Sequence, residues 1–124
     1  MNNTLLSTIG TWLYALVVGF FGINHFRNAD GMAGMVPKSF PGGGAVWVYV
    51  AGACLVLAAL SILSGKFTKW ACICLAVLLL IFVFTIHLPN ATSEDGGRQA
   101  MGMAGLLKDS AMAGAALIIA GKSK

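Results

Sequence analysis

Four stretches of the chain are long, apolar and nearly free of charge, and they limit its fold more than any motif does. Leu5 to Ile23 and Ala45 to Ser64 contain no charged residue. Trp70 to Leu88 has one strongly polar side chain, His87, and Met103 to Gly121 contains Lys108 and Asp109. Each run is 19 or 20 residues long, and a helix needs roughly 20 apolar residues to cross a hydrocarbon core of ~30 Å. A soluble four-helix bundle would need a polar stripe along every helix. The third run, WACICLAVLLLIFVFTIHL, has none. Barrel strands alternate and are about 10 residues long, whereas these runs are longer and do not alternate. The composition agrees: of 124 residues, 58% are hydrophobic and 10% charged, against about 25% charged in ordinary soluble domains. A soluble enzyme, a nucleic-acid-binding domain and a disordered tail are all excluded. The expectation is an all-α protein: one integral membrane four-helix bundle over residues 1–124, antiparallel and up-down, with a short cytoplasmic turn and two longer outer loops.

Charge suggests an orientation. No Lys or Arg precedes the first run and no small-residue cleavage site follows it, so it is expected to stay as a helix rather than act as a signal peptide. With four spans, both termini share a side with the turn GKFTK, whose charges with the tail are Lys66, Lys69, Lys122 and Lys124. The opposite side sets Arg27, Lys38, Arg98 and Lys108 against Asp30, Glu94, Asp95 and Asp109. The net charge of +4 therefore falls on one side, which the positive-inside rule makes cytoplasmic. Four lysines on two short segments make no nucleic-acid footprint.

The outer side carries the two substantial loops. In the first, Asn24 to Gly44, Pro37 and Pro41 forbid a long helix, and Gly42-Gly43-Gly44 leads flexibly into the second span. A short interfacial helix is expected within Asn28 to Val36, with Met32 and Met35 one turn apart. In the second loop, Pro89 to Gly102, Pro89 is expected to stop the third helix.

Ionisable groups at membrane depth cost ~2.5–3.5 kcal/mol each at a helix centre, so they mark candidate sites. His25 ends the first span, His87 ends the third, and Asp109 lies inside the fourth. Gly102, Gly105, Asp109, Ala113, Ala116 and Ala120 follow 3-and-4 spacing, a small-residue face suited to close helix approach. Asp109 should then face the bundle, with His25, His87 or Arg98 as partner, while Lys108 snorkels outward. Two readings follow. One is a polar pocket of His25, His87 and Asp109, walled by Trp47, that holds a quinone or lipid headgroup. The other is an interhelical clamp in which Gly22, Gly105, Ala113 and Ala116 serve packing. Haem is disfavoured because two histidines come without CxxCH. Copper would need Met32, Met35, Met101 and Met103 with His25, although methionine also fills gaps without metal; no metal site is expected. Cys72 and Cys74 point ~200° apart on a helix, and with Cys54 they read as buried small hydrophobes. Asn90-Ala91-Thr92 matches the glycosylation sequon and is read as chance.

Several motifs then line up: GFFGINHF (19–26), MVP (35–37), IHLPN (86–90) and LLKDSAMAGAALII (106–119). In this order, on a four-span chain, they resemble the DoxX family of small bacterial membrane proteins. The resemblance implies a four-helix bundle in the bacterial inner membrane and a link to quinone-coupled oxidation. The family is named for a subunit of a thiosulfate:quinone oxidoreductase, and relatives are tied to membrane oxidoreductase complexes. Carried over by position, the matching residues are Gly22 and His25, His87 and Pro89, and Lys108 and Asp109. The chain departs at Gly52-Ala53-Cys54-Leu55, where many members have G-x-x-E; the intramembrane carboxylate is missing at Leu55, which weakens an enzymatic reading. The leading expectation is a small accessory subunit of a quinone-linked or respiratory membrane complex, with no catalysis of its own, in contact with lipids and other membrane subunits. The alternatives are a scaffold or chaperone-like protein that binds membrane proteins without small-molecule chemistry, and a standalone redox enzyme.

Overall fold

The computed structural model describes residues 2–36 and 38–123. Pro37, expected to break the first loop, and Lys124, part of the charge expected on the cytoplasmic side, lie outside the described residues. Among the described residues all regular structure is helical, and four helices are long and apolar enough to cross a membrane.

Helix α1 (Asn3–Arg27) overruns its apolar run at both ends. Asn2 starts it: its side chain accepts from the Leu5 N–H at 2.7 Å, satisfying one of the donors that a helix start leaves unpaired. His25 and Arg27 lie in its last turn, where the helix dipole favours cations. A five-residue helix α2 (Ala29–Ala33) follows, within the expected interfacial segment. Helix α3 (Gly44–Ser64) ends at Gly65, whose φ of 77° and N–H bond to the Ser61 carbonyl at 2.9 Å make a left-handed cap. The Ser61 hydroxyl bonds the Lys66 carbonyl and so ties down the turn.

The third span corrects the role expected of Pro89. Helix α4 (Thr68–Phe82) passes into a π-helical turn, Val83–His87, and then into α5 (Leu88–Ala91). In an α-helix the Thr85 carbonyl would face the nitrogen of Pro89, which has no N–H. The widened turn instead bonds residues five apart, as Leu88 N–H does to the Val83 carbonyl. The helix absorbs the proline and continues past it.

Helix α6 (Gly96–Lys122) also begins earlier than its apolar run. The Asp95 carboxylate caps it by accepting from the Gly97 N–H at 3.0 Å. The outer loop expected over Pro89 to Gly102 is thus mostly helical, because hydropathy registers only the apolar part of a helix. The buried residues of α6 are Gly102, Gly105, Asp109, Ala113, Ala116 and Ala120, the six that share the 3-and-4 spacing.

Helix α1 lies against α3, and α4 against α6. At the first contact a Cβ on Gly22 would sit 2.7 Å from Val56 Cγ2 and 2.9 Å from the Val56 nitrogen, so only glycine permits this approach. A core of Ala15, Val18, Ile62, Cys72, Leu75 and Ala116 joins the helices. Large side chains such as Leu13, Leu57 and Ile118 face outward, as lipid-facing positions should. Of the cysteines only Cys72 is buried, while Cys54 and Cys74 are exposed. This corrects the expectation that all three are buried: the latter two lie on outward faces, where a bilayer stands in for a core.

Candidate functional site

The polar side chains gather at the end of the bundle away from the chain termini. A cavity of about 560 Å³ opens there, within the 300–1,000 Å³ range usual for small-molecule sites. Phe21 and His25 of α1, Trp47 and Leu55 of α3, Phe82 of α4, His87 of the π turn and Asp109 of α6 all border it. The four candidate pocket residues of the sequence, His25, His87, Asp109 and Trp47, therefore share one cavity. Met32 of the short helix and Met35 just after it border it too.

His87 and Asp109 form its polar centre. The His87 Nε2 lies 2.8 Å from Asp109 Oδ2. The His87 and Asp109 side chains are 15% and 7% exposed. The carboxylate can only accept, so His87 donates from Nε2. Gly105 makes room for this pair, since a Cβ there would overlap the His87 ring. Its assigned role in packing thus has a specific object: it admits an imidazole. The π turn delivers the ring to this place. Such turns are rare and often lie at functional sites.

Lys108 departs from expectation. Its Nζ sits 3.7 Å from Asp109 Oδ1 and 4.8 Å from the centre of the Phe21 ring, rather than reaching away. The side chain remains half exposed. Adjacent helix residues diverge by about 100°, but lysine's flexible stem lets the ammonium curl back. Here a carboxylate and an aromatic face attract it together.

His25 does not partner Asp109. Its Nδ1 lies 2.6 Å from the Phe21 carbonyl one turn back, and its ring stacks on Phe82 at 6.3 Å between centroids. A carbonyl only accepts, so Nδ1 carries the proton, and in the neutral ring Nε2 keeps a lone pair. Trp47 is fixed as a wall: its Nε1 donates to the Pro41 carbonyl at 2.7 Å, and its ring meets Phe40 edge-on. Arg98, also considered for Asp109, makes no ion pair with it among the described residues.

One residue of this region went unnoticed in the sequence. The Tyr14 hydroxyl donates to the Met112 carbonyl at 2.7 Å, spanning the gap between α1 and α6 below the cavity. A single tyrosine within an apolar run carries no signal of its partner. Ala113 and Ala116 are buried beside it in α6, consistent with packing. Among the described residues no three His, Cys, Asp or Glu side chains gather as metal ligands.

No curated protein and no solved structure matches the chain. Residues 14–119 match the sequence family DUF8561, described as a domain of unknown function, and so include every residue that borders the cavity. The chain belongs to the DUF8561 family.

Proposed function

We propose that this chain is a DoxX-like protein of the bacterial inner membrane, an accessory subunit of a quinone-linked or respiratory complex that lodges a quinone headgroup in the cavity. What carries the reading is one cavity with apolar walls and a compact polar set, His87, Asp109, Lys108 and His25. Amphipathic rings fit such a site: the isoprenoid or ring body meets Leu55 and Phe82, and the oxygens meet the polar set. The donors are assigned by what is already bonded. His87 Nε2 is taken by Asp109, so the donor for a quinone carbonyl is Lys108, whose ammonium has three N–H groups and keeps one to spare beside Asp109. His25 Nε2, with its lone pair, suits the hydroxyl of the reduced form. Trp47 and Phe40 close one side.

The same proposal includes an antiparallel up-down bundle with both termini cytoplasmic. Residue numbers rise on α1 as they fall on α3: Gly19 meets Ala59, and His25 meets Gly52. The charge balance supports the orientation, and the order of the four motifs supports the DoxX likeness.

The test is an organic extract of the purified protein. Quinone is expected in stoichiometric amount and is expected to be lost from His25→Ala and His87→Ala. Quinone content unchanged in both variants would overturn the reading.

A further inference from the structure

A second cavity, about 940 Å³, lies on the far side of His87 and Lys108, between the α5–α6 end and the first outer loop. Its lining is richer in basic side chains than that of the first. Lys38, Arg98 and Lys108 border it, Asn90 adds an amide, and no carboxylate is among its lining residues. Glu94 and Asp95 lie within one turn of Arg98 in sequence, yet neither carboxylate comes within 4.0 Å of a lysine or arginine among the described residues. Asp95 instead spends its carboxylate on capping α6. Asp109 turns toward the first cavity and offsets Lys108, which leaves Lys38 and Arg98 as surplus positive charge around one hollow.

The geometry points to an anion site here: we infer that the second cavity binds a phosphate group, with Arg98, Lys38 and Asn90 as its donors. Arg98 offers a planar fork that matches phosphate oxygens in pairs. Lys38, from the first loop, adds a point charge to the same hollow. Gly102 sets the width of the site, because a Cβ there would overlap the Asn90 and Ala91 backbone; glycine lets α5 sit against α6 and brings Asn90 beside the first turns that carry Arg98. The phosphate could belong to a free ion or to an anionic lipid headgroup, and both present the same oxygens. The inference does not depend on what fills the first cavity.

The experiment uses the purified full chain in two arms. One measures binding of radiolabelled inorganic phosphate in neutral detergent. The other measures retention of phosphatidylglycerol against phosphatidylcholine by native mass spectrometry after reconstitution in mixed vesicles. Arg98→Gln and Lys38→Gln are each expected to weaken the bound arm about tenfold, the loss typical of a charged hydrogen bond. Lys66→Gln and Lys69→Gln, on the turn between α3 and α4, are expected to change nothing. Arg98→Lys should recover part of the loss, and circular dichroism confirms that each variant is folded. Saturable phosphate binding with this pattern supports the site with a free anion as occupant. Selective phosphatidylglycerol retention with this pattern supports it with a lipid occupant. Binding in neither arm overturns the inference, as does an equal loss in Lys66→Gln and Lys69→Gln, which would mean only general surface charge.

Discussion

The two ends of the bundle are built on different principles. Away from the cavity, the closed end is built on Ala15, Val18, Cys72 and Ala116, whose side chains are almost wholly buried. Toward the other end the third span widens into a π turn, and the intervening space is lined by His25, His87, Lys108 and Asp109. Leu55 belongs to both, as part of the core cluster and of the cavity wall, and marks the boundary. The contrast teaches that stability and chemistry are divided along the helix axis. The buried cluster packs the helices together below the cavity, and the open end carries the polar groups.

Substitutions can break this division. Leu75→Ala, at a closed-end position that is 2% exposed, should show the largest loss of stability, about 2–5 kcal/mol as for buried leucines generally, read by reversible unfolding in mixed micelles. Gly22→Leu should follow at about 1–3 kcal/mol, the cost of overpacking, because its side chain would strike Val56 backbone. Asp109→Leu should cost less, about 1–2 kcal/mol: leucine suits lipid, and the loss is the acceptor of His87. Its effect on bound quinone should nevertheless be complete, whereas Leu75→Ala should leave quinone per folded chain unchanged. Equal stability losses at Leu75 and Asp109 would remove the distinction between the ends. Tyr14→Phe is expected to be the mildest, about 0.6–1.5 kcal/mol for one hydrogen bond between membrane helices, and it sharpens the comparison by testing the strut just below the cavity.

Much of the fold was legible because hydrophobic length is a local property. The four runs located all four long helices, and the 3-and-4 spacing from Gly102 to Ala120 identified the buried face of α6. Their ends were less legible: caps such as Asn2 and Asp95 extend helices into polar sequence that hydropathy discounts. The site divides in the same way. His25, His87 and Asp109 stand out because charge is rare at that depth, so gathering them needed only the helix count. Which of them pair depended on details without a sequence signature: the π turn that aims His87, the missing Cβ of Gly105 that admits its ring, and the curl of Lys108 back over Phe21. The aromatic face beneath that lysine comes from a helix 87 positions away in the chain, beyond the reach of any periodicity argument.

The π turn has a consequence for the chain's tolerance of change in length. Each residue of an α-helix advances the face by about 100°, so a deletion inside an ordinary span rotates everything beyond it away from its neighbours. Between Val83 and Ile86 the chain already holds slack of one residue. Removing one there would leave both flanks facing the partners they have now, but the closed turn would set Pro89 against the carbonyl four residues back, so the extra residue is what lets the span carry its proline without turning its flanks away.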